Sequence, residues 1–283
     1  MLLAVPNVSE GRDAAVLEAI GAAFAAGGAR LLDVHTDPDH HRSVFTLAGE
    51  PGRLAAAVVA GAREAVARID LARHDGVHPR VGAIDVAPIV HLTDADRGAA
   101  AAEALVLADR LGHELALPVY LYGALAGGRT RAQLRRPGAL HGLRPDFGPA
   151  TLHPTAGAVL VAARPPLVAF NVELAPPATL ADARRIAALI REGGAEGLPA
   201  VRALGLELAS SGAIQVSTNI EDHRRATPAD VVAAIRAHAA VARAELVALA
   251  PAAAFAGFPG DVPMPGFDPA RHLIEHALAR DVD

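Results

Sequence analysis

The sequence predicts an α/β (α+β) protein made of two split βαβ subdomains, and three observations predict it. The order β-α-β-β-α-β can be read in each half of the chain. The 283 residues amount to nearly two domain-sized units at about 150 residues each. Hydrophobic residues make up 52% against 20% charged, enough to build cores and to exclude wholesale disorder.

In the first half, Leu2–Val5 reads as a short strand and Ala14–Phe24 carries apolar residues at helical spacing. Arg30–His35 and Ser43–Leu47 read as strands, a helix covers Gly52–Ile69, and Ile84–His91 is another strand. Thr93 with Asp96 resembles a capping box and opens a helix to Gly112. Pro118–Tyr122 reads as a buried strand, and the Gly-, Arg- and Pro-rich stretch from Gly123 to Pro145 as a loop. Strands Gly157–Ala163 and Leu167–Leu174 flank Arg164-Pro165-Pro166. Thr179 with Asp182 opens a helix that Gly193 and Gly194 stop. Val201–Leu208 and Ile214–Ile220 are strands, Thr227-Pro228 with Asp230 starts a helix, and Glu245–Leu249 is a last strand. A Pro/Gly-rich tail precedes a final helix from Pro269. The expected subdomains are residues 1–166 and 167–283. Each has the ferredoxin-like order, with its helices on one sheet face. The bare faces are expected to face each other across a cleft edged by polar loops.

Composition narrows the chemistry. All 26 basic residues are Arg, which excludes a Schiff-base lysine, a lysine general base and a standard phosphate-loop lysine. A net charge of −5 offers no general attraction for nucleic acid or an anionic membrane. Aromatics at 3%, with no Trp, argue against base stacking. The absence of Cys excludes disulfides, thiolate nucleophiles and zinc–thiolate sites. MLLAVPNVSEGR has no basic leader, and the uncharged stretch Leu246–Gly260 is shorter than the ~18 residues a membrane span needs. The expectation is a cytoplasmic protein with no membrane or nucleic-acid partner.

Two polar clusters stand out. HTDPDHHR holds His35, Asp37, Asp39, His40, His41 and Arg42, and RHDGVHPRVGAID holds Arg73, His74, Asp75, His78, Arg80 and Asp85. Both follow element ends in the first half and are expected to face one cleft. The plain alternative is a polar turn and a solvated loop. His74 and His78 are four apart, but Gly76 and Pro79 break the helix on which that spacing binds a metal. GALAGGRT (Gly123–Thr130) nearly matches a phosphate loop, yet Arg129 stands where Lys is required, so the match is a decoy. His78 is the best acid–base candidate, since imidazole titrates near neutrality and Pro79 restricts its backbone.

VPNVSEGR (Val5–Arg12), LLDVHTDPDHHRSVFTLAGEP (Leu31–Pro51) and HDGVHPRVGAIDVAP (His74–Pro88) resemble the glutamate formiminotransferase (glutamate formimidoyltransferase) family. PVYLYG (Pro118–Gly123), RPDFGPATLHPTAGA (Arg144–Ala158), LVAFNVEL (Leu167–Leu174) and QVSTNI (Gln215–Ile220) continue the likeness in family order. The resemblance implies the single-activity form, lacking the cyclodeaminase domain. The resemblance implies two α/β subdomains whose sheets face across a folate tunnel, and a homodimer. It implies transfer of a formimino group from N-formimino-L-glutamate to tetrahydrofolate, giving 5-formiminotetrahydrofolate and L-glutamate, in histidine degradation. Tetrahydrofolate is then a co-substrate, and no metal is expected.

The resemblance places the general acid/base on His78. It places folate contacts on Gly148, Pro149, Ala150, Thr151, Leu152, His153, Pro154, Thr155, Ala156 and Gly157. A second folate segment falls on Glu196, Gly197, Leu198, Pro199, Ala200, Val201, Arg202, Ala203, Leu204 and Gly205. His35 stands where animal members carry an acidic residue, which makes it the candidate proton relay. Both substrates are carboxylates, so Arg42 and Arg80 are candidates to hold them, with structural ion pairs as the equal alternative. Competing readings are formyl transfer between 5-formyltetrahydrofolate and glutamate, a metal-dependent hydrolase using the His/Asp cluster 35–41, and a folate- or anion-binding protein without catalysis.

Overall fold

A proline breaks the first strand in two. Leu2–Ala4 (β1) and Asn7–Val8 (β2) lie on either side of Pro6 and pair antiparallel with the same two neighbours. Pro6 has no N–H to give the ladder, but its carbonyl still accepts from Phe45 N–H at 3.0 Å. The computed structural model describes residues 1–75 and 80–280. His78 therefore lies outside the described residues. The chain divides into two units, Met1–Pro165 and Pro166–Asp283.

The first unit continues with α1 (Ala14–Ala26), β3 (Arg30–Asp37), β4 (Arg42–Gly49), α2 (Leu54–Arg68), β5 (Ile84–His91) and α3 (Arg97–Glu114). Then come β6 (Val119–Leu121), α4 (Arg131–Leu134) and β7 (Val159–Arg164). The Asp13 carboxylate caps α1 by accepting from Ala15 and Val16 N–H. The start of α2 has no cap of its own; Glu103 reaches across from α3 to take the N–H groups of Gly52 and Ala55. Thr93 forms only half of the expected box: its hydroxyl meets Asp96 at 2.8 Å but caps no backbone N–H, and a 3-10 turn at Asp94–Asp96 precedes α3.

Among the described residues the first sheet has seven strands, ordered β3-β4-(β1,β2)-β5-β7-β6. Neighbours are antiparallel as far as β5, while β5–β7 and β6–β7 are parallel. The segment from β1 to β5 is the split βαβ unit, and α3 carries the chain over to β6. The strand read as Gly157–Ala163 lies in this first sheet, where β7 slips between β5 and β6. Apolar faces of α1, α2 and α3 cover one side, packing Phe24, Val58 and Leu107 against Phe45, Ile89 and Val161. The expectation of a bare opposite face is corrected here. Leu134, Leu140 and Leu143 pack there on Tyr120, Tyr122 and Leu160.

The segment read as a loop from Gly123 to Pro145 thus carries structure. A 3-10 turn spans Gly123–Ala126, and Thr130 with Gln133 makes a full capping box for α4. The Arg129 guanidinium bonds the Leu121 carbonyl and Asp146, a structural role in keeping with the decoy reading of this motif.

The second unit holds β8 (Val168–Leu174), α5 (Leu180–Ile190), β9 (Val201–Glu207), β10 (Ile214–Ile220), α6 (Pro228–Arg236) and β11 (Val241–Val247). Its sheet is antiparallel, ordered β11-β8-β10-β9. Both predicted boxes, Thr179 with Asp182 and Thr227 with Asp230, are complete. The last strand begins four residues earlier than expected. The Pro/Gly-rich tail supplies Phe255 and Phe258, whose rings pack edge-on against Phe170. The single final helix is instead two pieces, α7 (Pro269–His272) and α8 (Ile274–Ala279), because Leu273 is extended. No helix of the described residues is long and apolar enough to cross a membrane.

Candidate active site

Strand alternation decides which polar residues meet. Phe45 and Leu47 face the helices, so Arg42, Val44 and Thr46 point to the other side of β4. His35 and Asn7 both pair with Val44 and share that face. On β5 the register against β2 shifts between Asn7↔Val86 and Val8↔Ile84, which leaves Asp85 as one extra residue. This bulge turns the Asp85 carboxylate onto the same face as Arg42.

Asp85 is fully buried. One of its oxygens accepts from Arg42 Nη1 at 2.5 Å and from Arg135 Nη2, and the other from Val81 N–H at 2.7 Å. Arg42 Nε and Nη2 also donate to Asn7 Oδ1 at 3.1 and 2.8 Å. Burial pulls the Arg42 pKa down to about 10; Asp85 opposes this, while Arg135 and Arg131 add like charge. Burial would raise the Asp85 pKa, but Arg135 and Arg42 outweigh it and hold the carboxyl well below the usual range.

Three loops close on the same end of the sheet. Ser9 N–H donates to the Ala83 carbonyl and its hydroxyl to the Gly82 carbonyl, both at 2.8 Å. Glu10 Oε1 accepts from the N–H groups of Gly11, Arg12 and Asp13. Arg12 bridges the Pro38 carbonyl and Asp75. A Cβ on Gly11 would stand 2.3 Å from Asp37 O and 2.5 Å from Arg42 N, so only Gly fits there. The His41 and His74 rings lie 4.1 Å apart between centroids. His41 Nδ1 accepts from Gly11 N–H, and His74 Nε2 donates to the His41 carbonyl. Burial pulls both imidazoles below their ordinary pKa, with Arg80 acting in the same direction.

The two polar clusters of the sequence therefore do come together, through His41–His74 and Arg42–Asp85. The segment 148–157 joins them. Leu71 N–H bonds Thr155 O, Ala83 N–H bonds Ala156 O, and Ala158 N–H bonds Val81 O, each at 2.9 Å. These bonds fasten it to both flanks of Gly76–Pro79. Thr151, Leu152 and Pro154 are exposed, while His153 Nδ1 is occupied by Ala156 N–H at 3.1 Å.

Several of the expected contact residues are turned into a core. Ala156 is buried in the first core and offers no surface to a ligand. In the second segment, Val201 and Ala203 point into the second core, and Gly205 lies against the backbone of α5. Alternation along β9 leaves Arg202 and Leu204 on the opposite face, Arg202 paired with Glu192 and Glu221. Glu196 meets His238, and Leu198 N–H is bonded to the Ile190 carbonyl. Arg42, expected to hold substrate, has its guanidinium committed to Asp85 and Asn7. The hydrolase alternative needs the 35–41 cluster to converge on one point. Instead Asp37 takes His40 at 2.5 Å and His41 turns to Gly11, and no group of three or more His, Asp or Glu among the described residues could hold a metal ion.

Sequence reading missed Asn7, Glu10 and Arg135. Asn7 and Glu10 sit inside the VPNVSEGR motif; for Arg135 the available signal was the T-x-x-Q box that starts α4.

Residues 1–164 match the family described as "Formiminotransferase domain, N-terminal subdomain". The chain belongs to the formiminotransferase family. It is 35% identical over 267 residues to a glutamate formimidoyltransferase of Streptococcus pyogenes serotype M1, covering 88% of this chain and 89% of that protein. A glutamate formimidoyltransferase of Thermoplasma acidophilum is 35% identical over 235 residues, 78% and 77% of the two chains. The pig formimidoyltransferase-cyclodeaminase is 38% identical over 235 residues, and the match covers 77% of this chain but 43% of the pig protein. The family match ends at Arg164, one residue before the first unit does.

Proposed function

We propose that this chain transfers a formimino group between N-formimino-L-glutamate and tetrahydrofolate, with His78 as the general acid/base. The observation that carries the reading is the fastening of the 148–157 segment to both flanks of Gly76–Pro79. That fastening holds the segment proposed to meet folate against Leu71, Val81 and Ala83, the described residues on either side of the stretch proposed to move protons. The names of the Streptococcus and Thermoplasma relatives support the same reaction.

The chemistry asks for what these residues offer. The folate amine attacks the formimino carbon and forms a tetrahedral centre with nitrogen on both sides. The incoming nitrogen loses a proton and the glutamate nitrogen gains one before the old carbon–nitrogen bond breaks. One imidazole titrating near neutrality serves both transfers, worth about 10²–10⁴ in rate. Holding two substrates in register supplies much of the remainder. His35, on the face that carries Arg42 and Asp85, is the proposed relay. Arg80 lies within the field of Asp85 and Asp75 and is the proposed carboxylate partner that Arg42 is too committed to be.

The test is incubation with tetrahydrofolate and N-formimino-L-glutamate, with 5-formyltetrahydrofolate and glutamate run alongside. Formimino turnover well above formyl turnover is expected; turnover of neither pair overturns the reading. His78→Ala should cut transfer by about 10²–10⁴ while tetrahydrofolate binding and the unfolding midpoint hold. An unfolded variant, or one that still turns over, removes His78 from the chemistry.

A further inference from the structure

The side of β5, β6 and β7 away from α1, α2 and α3 carries a surplus of hydrogen-bond donors gathered around α4. Arg135 spends Nη2 on Asp85, but its Nε is buried without a partner. Tyr122 is 5% exposed, and its hydroxyl is buried and equally unpartnered. Arg131 stands over the Tyr122 ring at 5.8 Å and precedes Arg135 by four residues, so both project from one side of α4. Arg42 completes the group, sharing Asp85 with Arg135. A buried donor without an acceptor costs about 1–3 kcal/mol, and two of them beside several guanidinium groups are chemically suited to one kind of guest. An acceptor with two oxygens and a negative charge satisfies both donors and offsets the cationic excess.

We propose that Arg135, Tyr122 and Arg131 form a binding site for a glutamyl carboxylate. The inference rests on the transfer reading above for the identity of its guest, since both substrates of that reaction carry a glutamyl group. The amino-acid substrate and the glutamyl tail of the folate offer the same chemistry. Arg135 has two tasks: Nη2 fixes Asp85 from within, and the remaining donors face the guest. The Arg42–Asp85 pair acts as the buttress that keeps Arg135 in place.

Calorimetric titration of the intact protein with L-glutamate tests the site directly, without relying on turnover. Arg135→Gln should weaken glutamate binding by roughly tenfold or more, the equivalent of one charge-assisted hydrogen bond. Tyr122→Phe removes one oxygen and keeps the packing, and should weaken it by a few-fold. Arg135→Lys should recover part of the loss, because it restores charge but not the planar fork. Steady-state KM values then identify the source. A rise for N-formimino-L-glutamate alone assigns the site to the amino acid. A rise for tetrahydrofolate that vanishes with a reduced pterin lacking its glutamyl tail assigns it to the folate. If the variants stay folded and neither glutamate binding nor either KM moves, the site does not exist. If wild-type protein shows no transfer yet binds glutamate in an Arg135-dependent way, the transfer reading falls and the site stands.

Discussion

The second unit repeats the strand arrangement found in the first. Its order β11-β8-β10-β9 has the same connections as β5, β1/β2, β4 and β3, with antiparallel neighbours throughout. The two differ in what lies on the side away from the helices. In the second unit that side carries a partly exposed ion pair, Arg243 with Glu173, and Glu245 accepts from the amide of buried Asn171. The first unit adds two parallel strands, a segment that packs α4 onto the sheet, and a bulge that buries Asp85 between two arginines. Shared topology leaves chemistry open, and the bulge and the added segment are what make the two faces differ.

The sharpest way to break this comparison is to remove the central charge. Asp85→Ala strands two buried guanidinium groups and should cost about 3–5 kcal/mol, read from urea unfolding. Glu173→Ala removes one partner of a half-exposed pair and should cost about 0–1 kcal/mol. Equal losses would erase the distinction between the two faces.

Close backbone approach sharpens it next. A Cβ on Gly205 would lie 2.3 Å from Arg184 N, the same separation as Gly11 has from Asp37 O. Gly11→Ala and Gly205→Ala should each cost about 1–3 kcal/mol. Activity per folded molecule should fall further for Gly11→Ala, since it displaces the loops that hold His41 and Arg42. Equal specific activities would detach those loops from function.

Acidification separates the units by degree. His41 and His74 are held below their ordinary pKa, so unfolding takes up protons at these positions as pH falls. Their stabilising contribution is complete above the unfolded value near 6.5 and is lost as pH drops below it toward the folded values. His223 shifts in the same direction in the second unit, but no imidazole among the described residues stacks on it. Hydrogen exchange at pH 7.5 and pH 5 should show greater loss of protection at Gly11 and its loop than around His223. The reverse order would mean that the imidazole pair bears no strain on protonation.

The smallest effect concerns caps. Thr227→Ala removes a full box and should cost about 1 kcal/mol, measured by thermal unfolding. Thr93→Ala should cost a few tenths, because its hydroxyl bonds only a side chain.

Much of this was readable from residues alone. The Thr179 and Thr227 boxes, the alternation of β8 and β10, and the two polar clusters depend on neighbours a few positions away. Arg135 escaped notice because its partner Asp85 is fifty residues distant and its surroundings are rich in Gly and Pro. Ala156, Val201, Ala203 and Gly205 fell inside family segments, but which way each side chain turns depends on strand register, which no motif encodes.

By itself the sequence determined the order of elements, the doubled split unit, the restriction of basic chemistry to arginine and the two polar clusters, the second of which contains His78. Those follow from periodicity, capping and composition, all of them local properties. Only the tertiary structure decided that Asp85 is a bulge, that Arg42 is spent on it, and that Arg135 and Tyr122 are left with donors to give. Register shifts and buried charge pairs arise from the packing of distant segments, where the cost of an unpaired group outweighs any preference of the local chain.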